Sequence, residues 1–249
     1  MEDLIFVILG FIASLIDGCI GMAYGVFLTS SFTFLGYPLL IASSSVHLSE
    51  MFVAFFSAIS HFKLGNMDMK IIKKILIPGV IGGIFGAYFL SNTNIKWLNT
   101  LVAIYLFFVG IYVLIKSFSN ERKVSFRKLP LIGFIGGFVD AVGGGGWGPI
   151  VNGTLLAKGI NPRKTIGSVN IVEFFVTFFQ SMVFFYFVGF DIIKIVFFLS
   201  VGGALATPIA AFIVKKVNTK ILMRLVAFVI ISINIFNLYY CFIFNKSLN

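Results

Sequence analysis

A glycine-rich break inside an apolar run is the feature that most constrains what this chain can fold into. Residues 129–156 form a run long enough to enter a bilayer, yet it contains Asp140 and, over residues 143–149, five glycines and a proline. Unpaired backbone groups and a carboxylate are both costly in lipid. Because a chain tolerates them where protein or water surrounds the break, we expect this segment to hold something polar inside the membrane.

A second copy of this break lies 123 positions upstream, at residues 17–25, and it belongs to a longer repeat. Residues 45–50 match residues 168–173 at the same offset, and Gly82-Gly83 corresponds to Gly202-Gly203. Two broken segments at corresponding places in two halves are a strong sequence sign of a transporter's binding site. We therefore interpret the chain as a duplicated unit.

The composition indicates the class of protein. Hydrophobic residues make up 59% of the chain and charged residues 11%, whereas soluble domains average about 45–50% and about 25%. The apolar runs lack the period-two alternation of a membrane barrel, so we predict an all-α polytopic membrane protein. Cys19 and Cys241 both lie in apolar runs, which indicates neither a disulfide framework nor a metal site, and we expect no cofactor.

The apolar runs and their interruptions divide the chain into two repeats joined by a basic connector. Each repeat is predicted to contain a broken helical hairpin followed by three transmembrane helices. Repeat 1 spans residues 1–117, the connector spans 118–128 and repeat 2 spans 129–249. The predicted elements are the hairpin at 4–36 and helices at 43–62, 72–91 and 97–117 in repeat 1, and the hairpin at 129–158 and helices at 165–189, 192–214 and 219–244 in repeat 2.

The 19 lysines and arginines, which give a formal net charge of +10, indicate membrane orientation rather than nucleic-acid binding. Such residues favour the cytoplasmic side near helix ends. If each broken segment crosses the membrane once, 11 of them lie on one side and 8 on the other. If each segment returns to the side it entered from, 16 lie inside and only Lys96, Lys194 and Lys246 lie outside. The second arrangement is favoured over full crossing, and it makes the halves inverted repeats with both termini outside.

The second copy of the break carries a resemblance to a known family. Residues 133–149, followed by Gly159-Ile160-Asn161-Pro162-Arg163 and Thr165-Ile166-Gly167-Ser168, resemble the TauE/SafE sulfite exporter family, and the two-repeat layout extends the resemblance to the whole chain. The resemblance implies a permease of a prokaryotic inner membrane that moves small sulfur-containing or organic anions, such as sulfite or sulfoacetate, outward. The first copy departs from the pattern, since Met22-Ala23-Tyr24 stands where the second has Gly145-Gly146-Trp147. The two half-sites can therefore contribute unequally.

Glycines at the breaks supply the predicted anion site. They let the chain turn without a Cβ penalty, and uncovered N–H groups at the start of the returning half-helix attract an anion together with the helix dipole. Close helix packing is the alternative role of such glycines, and the polar or aromatic side chains nearby have packing or local backbone bonding as alternatives. The candidate substrate-binding residues are Gly21, Tyr24, Ser45, His47, Gly143, Gly144, Gly145, Gly146, Trp147, Ser168 and Asn170.

Four acidic residues inside the apolar runs, Asp17, Glu50, Asp140 and Glu173, are candidates for carrying a coupled proton. Asp17 and Asp140 begin the two breaks, and capping of the following half-helix is their alternative role. Glu50 and Glu173 lie within the next helix, where a carboxylate is costly unless it is paired or protonated, and a structural hydrogen bond is the alternative there. Because the predicted interior contains no lysine or arginine, an anion must be held by backbone dipoles and neutral donors, which predicts modest affinity.

A secondary anion transporter, with its site between the two hairpins, is the function that these features favour. Proton coupling and outward transport are parts of this hypothesis. An anion channel, or a permease for another solute, is the first alternative. An intramembrane enzyme is disfavoured, because the sequence has two histidines and no HExxH motif. The expected partners are the small anion and the lipid bilayer, without nucleic acid, and homodimer formation is left open.

Overall fold

The computed structural model describes residues 2–20, 23–63, 65–93, 98–118, 128–157, 162–213 and 219–246, which form helices joined by short turns, with no strand in these ranges. The helices are α1 (Glu2–Ile20), α2 (Tyr24–Phe34), α3 (Leu39–Lys63), α4 (Met69–Asn92), α5 (Leu98–Lys116), α6 (Leu129–Gly143), α7 (Gly153–Ala157), α8 (Pro162–Val188), α9 (Ile193–Ile213) and α10 (Thr219–Lys246). A π-helical turn, Gly148–Asn152, leads into α7, and a 3₁₀ turn, Gly189–Ile192, separates α8 from α9. The all-α class is thus confirmed, while most of the predicted connector lies outside the described residues.

The lengths and the outer surface of these helices fit a lipid environment. Three described stretches are long and apolar enough to cross a membrane, namely Leu39–Lys63, Met69–Asn92 and Lys164–Ala206. Large apolar side chains cover the outside of the bundle, and Phe56 and Phe228 are 61% and 70% exposed. Soluble monomers rarely expose so much contiguous apolar surface. The protein is a multi-pass membrane protein.

The chain reverses direction at each of the two breaks. In the first half, α2 runs back along α1. This direction places the ring of Phe32, near the end of α2, on that of Phe6, near the start of α1, with 5.8 Å between centroids. In the second half, Val151 lies directly against Gly136, so the π-helical turn and α7 run back along α6. Gly144, at the end of α6, has a φ of +63°, a left-handed conformation that favours glycine.

Helices from the two halves pack in reciprocal pairs, α1 on α9 and α6 on α4. Within each pair, the two helices run parallel to each other. The contacts that fix these directions are Asp3 with Lys194 (2.8 Å) and Gly10 with Leu199 in the first pair, and Gly133 with Ile75 and Gly86 with Phe138 in the second. Glycines at these contacts let the backbones approach closely, as small residues do between membrane helices.

α3 and α8, which occupy corresponding positions in the two halves, pack against each other in opposite directions. Near the end of α3, Ser57 Oγ accepts a hydrogen bond of 2.9 Å from Asn170 Nδ2, which lies near the start of α8. Nearer the start of α3, the His47 ring lies 5.6 Å from the ring of Phe184, near the end of α8. The tips of both reversed segments lie beside this antiparallel pair.

The last helix of each half, α5 or α10, lies behind one reversed segment. On α10, the amide groups of Asn234 and Asn237 donate to Ser30 Oγ (2.9 Å) and Thr33 Oγ1 (3.0 Å) of α2. On α5, Tyr105 lies beside the glycine-rich turn after α6. Each reversed segment is therefore enclosed by protein on the side away from the α3–α8 pair, as a broken helix at membrane depth requires.

Candidate functional site

Asp17 caps the helix that follows the first break. Its Oδ1 atom accepts hydrogen bonds from the backbone N–H groups of Ala23 (2.9 Å) and Tyr24 (3.3 Å) at the start of α2. Such N–H groups have no acceptor within their own helix, so a carboxylate satisfies them and interacts favourably with the helix dipole. This is the capping role expected as one alternative for Asp17.

Asp140 caps the second returning segment with the same geometry. Its Oδ1 atom accepts hydrogen bonds from the backbone N–H groups of Gly146 (2.7 Å) and Trp147 (2.9 Å). Both donors lie 123 positions after the corresponding donors of the first break, as Asp140 does after Asp17. The repeat therefore extends to individual hydrogen bonds.

The tips of the two reversed segments meet backbone to backbone. A Cβ atom on Gly25 would lie 2.6 Å from the carbonyl oxygen of Gly144 and 2.8 Å from the Cα of Gly145. The hydroxyl of Thr29 on α2 donates to the same Gly144 oxygen at 2.7 Å. No side chain fits between the tips at these positions, which explains the glycines there.

A cavity lies where the tips meet α3 and α8. It contains about 210 Å³ of atom-free space, including its open mouth. Its walls come from both halves of the chain, and four of its side chains are acidic. The lining residues are Asp17, Ala23, Tyr24, Gly25, Val26, Glu50, Asp140, Gly145, Gly148, Pro149 and Glu173.

Residues from the starts of both returning segments line this cavity. Gly25 and Val26 belong to the first turn of α2, and Gly148 begins the opposite segment. First-turn N–H groups have no intrahelical acceptor and lie at the positive end of the helix dipole. Two helix N-termini beside one cavity form an arrangement that attracts negative charge.

The acidic side chains of the cavity oppose that attraction. Glu50 on α3, which is 9% exposed, and Glu173 on α8 face Asp17 and Asp140 across the same space. The described lining contains no lysine, arginine or histidine. Tyr24 adds a phenolic hydroxyl, which donates to Ser49 Oγ at 2.9 Å. The cavity therefore combines N–H dipoles with carboxyl groups that repel an anion when they are ionised.

His47 does not line the cavity, but its ring contacts Asp140, which does. Its Nε2 atom lies 3.1 Å from Asp140 Oδ2, and its Nδ1 atom lies 2.8 Å from the backbone oxygen of Ser43. Gln180 Nε2 donates to the same Asp140 oxygen at 3.1 Å. Asp140 is thus bonded on both oxygens, and it and His47 are buried.

Other residues predicted to bind substrate lie away from the cavity. Ser168 Oγ accepts a hydrogen bond from the backbone of Asp68, before α4, at 2.7 Å. Asn170 donates to Ser57, and Ser45 Oγ is buried without a partner among the described atoms.

Trp147 contributes its backbone N–H to the Asp140 cap and its side chain to the core. The indole Nε1 donates to the Val169 oxygen at 3.3 Å, and the ring lies against Gly79 of α4. The ring is 1% exposed, so it packs rather than walls the cavity.

Among the predicted glycines that the structure describes, Gly145 is the one that lines the cavity itself. Gly143 lies against the ring of Tyr105, and Gly144 and Gly146 shape the turn. Gly21 lies outside the described residues.

The sequence reasoning missed three side chains that support this site. They are Gln180, Ser43, whose hydroxyl donates to the Ala141 oxygen at 2.6 Å, and Tyr105, whose hydroxyl lies 3.4 Å from the Gly145 oxygen. Polar groups inside apolar helices require a partner. That rule singles out Gln180, in the middle of the apolar α8, from sequence alone.

Comparison with known proteins shows which family the chain is similar to. Residues 6–236 match the family model described as sulfite exporter TauE/SafE. The chain is 38% identical over 242 residues to the Probable membrane transporter protein YtnM of Bacillus subtilis (strain 168), which covers 93% of this chain and 81% of that protein. It is 24% identical over 181 residues to the Probable membrane transporter protein YdhB of the same organism, covering 68% and 73%. No solved structure matches the chain.

Proposed function

The chain belongs to the sulfite exporter TauE/SafE family and is a membrane transporter, and from that premise we propose that it carries a small anion together with a proton. The observation that supports this most directly is the shared cavity, which is lined by the starts of two returning segments and by four acidic residues. The N-termini supply attraction for an anion without any lysine or arginine in the described lining. The family name and the resemblance of the motif make sulfite or a small organosulfonate such as sulfoacetate the proposed substrate.

The carboxyl groups make proton coupling part of the proposal. Asp140 is paired with His47, which leaves Asp17, Glu50 and Glu173 as sources of net negative charge. At an effective dielectric constant of about 20, an anion about 6 Å from an ionised carboxylate is repelled by about 3 kcal/mol. Three such terms exceed what the N–H dipoles supply, so the anion binds when carboxyl groups are protonated. Anion and proton then occupy the cavity in the same state of the cycle.

We propose that the two reversed segments are re-entrant hairpins and that the halves are inverted repeats. The opposite directions of α3 and α8, which are equivalent in the repeat, support this arrangement. The reciprocal packing of α1 on α9 and of α6 on α4 also supports it, because exchanging the halves exchanges these pairs. Transport would then proceed by movement of one half against the other around the cavity.

The orientation in the membrane is also a proposal. Exposed basic residues lie near the end of the bundle where α3 ends and where α4, α6, α8 and α10 begin, namely Lys63, Lys70, Lys73, Lys74, Lys128, Lys164, Lys220 and Arg224. Lys194 lies at the other end, paired with Asp3. The positive-inside rule assigns the basic end to the cytoplasm. Both chain termini would then face outward from a prokaryotic inner membrane.

A permease for a cationic solute is the second candidate, and the four carboxyl groups of the cavity are the observation that favours it. A cation would bind best when these groups are ionised, whereas an anion would bind best when they are protonated. The two candidates therefore respond to pH in opposite directions.

Uptake into proteoliposomes tests the proposal. Purified protein would be reconstituted, and uptake of labelled sulfite, sulfoacetate, acetate and taurine measured with and without an imposed pH gradient, with protein-free vesicles as the control. We expect saturable uptake of one anion, accelerated when the outside is acidified and accompanied by proton entry. Uptake that is indifferent to the pH gradient would refute the coupling, and saturable uptake of a cation inhibited by acid would favour the second candidate.

A further inference from the structure

The two capping aspartates have the same backbone partners but different side-chain partners. Asp140 Oδ2 is bonded by His47 Nε2 and Gln180 Nε2, each at 3.1 Å. In the described part of the chain, the hydrogen bonds to Asp17 are the two from the backbone, both to Oδ1. The difference is therefore confined to the second carboxylate oxygen.

The repeat explains where this difference comes from. His47 and Gln180 correspond, at the offset of 123, to Asn170 and Ser57. These two counterparts bond to each other, with Asn170 Nδ2 donating to Ser57 Oγ at 2.9 Å, and not to Asp17. Thus His47 and Gln180 both bond to the carboxylate of Asp140, whereas their counterparts Asn170 and Ser57 bond to each other.

The hydrogen-bond partners of His47 indicate which of its ring nitrogens carry a proton. Its Nδ1 atom faces a carbonyl oxygen, that of Ser43, which can only accept, so Nδ1 carries a proton. Its Nε2 atom faces Asp140, whose two oxygens already receive two backbone N–H groups and the Gln180 amide. Three donors surround this carboxylate and leave it one acceptor position toward Nε2, which fits the ionised acid beside a doubly protonated imidazole.

The Gln180 amide has a fixed orientation that supports this assignment. Its Nε2 atom also donates to the backbone oxygen of Gly137 at 3.1 Å, so both of its neighbours are acceptors. The titratable groups around Asp140 in the described residues are His47 and Glu50 on α3, Glu173 on α8, Asp17 on α1, Tyr24 on α2 and Tyr105 on α5. Of these, only His47 can carry a positive charge.

We propose that His47 and Gln180 are positioning residues that keep Asp140 ionised throughout the transport cycle, so that coupled protons reside on the other carboxyl groups of the cavity. Asp140 then remains a fixed cap on the second hairpin, and its charge is balanced by His47 in every state. Asp17, whose counterpart residues leave it without such partners, is not fixed in this way. The statement about coupled protons rests on the proposed function, whereas the charge state of Asp140 does not.

Infrared difference spectroscopy tests the charge state directly in the folded, reconstituted protein. Spectra of the wild type and of Asp140→Asn would be compared at acidic, neutral and alkaline pH. We expect the variant to lose an ionised-carboxylate band at every pH and no protonated-carboxyl band. Loss of a protonated-carboxyl band at neutral pH would overturn the inference, whether or not the protein transports protons.

A residue exchange between the halves covers the case in which Asp140→Asn does not fold. The double variant His47→Asn with Gln180→Ser places beside Asp140 the residue types that stand at the equivalent positions for Asp17, and it retains Asp140 with its backbone bonds. We expect a new protonated-carboxyl band at acidic pH in this variant, and a spectrum identical to the wild type would contradict the proposal. The mirror variant, Asn170→His with Ser57→Gln, is the matched control and should shift the bands of Asp17 instead.

Proton and anion fluxes then test the consequence for coupling. We expect the number of protons carried per anion to be unchanged in Asp140→Asn and to rise by one in His47→Asn with Gln180→Ser. A ratio that falls by one in Asp140→Asn would make Asp140 a proton carrier and overturn the inference. A wild type with no proton flux would instead refute the proposed function, and the infrared result would still decide the charge of Asp140.

Discussion

The contact between the hairpin tips leads to a specific prediction for Gly145→Ala. A Cβ atom at this position would lie 2.5 Å from the backbone carbon of Gly25 and 2.7 Å from the Cα of Val26. Carbon atoms in contact are ordinarily about 3.5–4.0 Å apart, so the tips must separate by about 1 Å. The atoms in the way are backbone atoms of the first turn of α2, and unlike a side chain they cannot rotate aside. The methyl group therefore strains the state in which both tips enclose the cavity.

The size of the effect follows from the cost of overpacking. An extra methyl in a tightly packed interior costs about 1–3 kcal/mol, which corresponds to about 5- to 150-fold in an equilibrium constant. If the anion is bound between the closed tips, the strain opposes binding and raises KM by that factor. Gly25→Ala strains the same contact from the other side, so the double variant should cost less than the sum of the single variants.

Uptake kinetics and thermal unfolding of the reconstituted protein measure this effect. Gly143→Ala is the matched control in the same turn, because its Cβ would meet only the Tyr105 ring, at 3.0 Å, and that ring can shift. We expect Gly143→Ala to stay within about threefold of the wild-type KM, a change of less than about 1 kcal/mol. A Gly145→Ala protein with the wild-type KM, or a control impaired to the same degree, would refute the reasoning that places the substrate between the tips.

Three further substitutions separate coupling, stability and packing. Glu173→Gln removes a carboxyl group of the cavity, so we expect the dependence of anion uptake on external pH to become shallower, and an unchanged pH profile would exclude Glu173 as a proton carrier. Thr29→Val removes the donor of the 2.7 Å bond to Gly144, and thermal unfolding should show a loss of about 1–2 kcal/mol; an unchanged midpoint would mean that the bond does not hold the tips. Trp147→Phe keeps a ring in the core but loses the 3.3 Å bond to Val169, so we expect about 1 kcal/mol lower stability with an unchanged KM, whereas a large rise in KM would assign the indole to the anion.

The repeat in the sequence and the free-energy cost of a carboxyl group in lipid predict which acidic residues line the cavity. A carboxyl group inside an apolar run is costly, which distinguishes Asp17, Glu50, Asp140 and Glu173 in the sequence, and the structure brings all four to one cavity. The offset of 123 predicted that corresponding residues have corresponding surroundings, and the two capping geometries follow it. The free-energy cost of placing a side chain in lipid depends on the residue type and its immediate neighbours, so it can be inferred from the sequence.

The sequence could not tell which side of a helix faces the cavity. Ser168 and Asn170 are close in sequence to Glu173, yet they bond to Asp68 and Ser57 on other elements. Trp147 adjoins the glycines, but its ring is directed into the core between α4 and α8. The direction of a side chain depends on how helices from the two halves pack, and that packing is long-range. His47 illustrates the same limit, because it contacts the cavity only through Asp140.

If the protein carries an anion with protons, as proposed, the number of protons carried with each anion decides the direction in which it can work. One proton with one monovalent anion moves no net charge, so a pH difference of one unit, worth about 1.4 kcal/mol, is balanced by a tenfold anion gradient. Two protons with that anion also move one charge, which adds about 2.3 kcal/mol per 100 mV and brings the total to about 5 kcal/mol. Against an inward proton gradient, export then requires an internal excess of several thousandfold. Outward transport, the direction that the family name implies, is therefore compatible with a single coupled proton. If Asp140 exchanges no proton during the cycle, as proposed, the number of coupled protons is lower, which favours that direction.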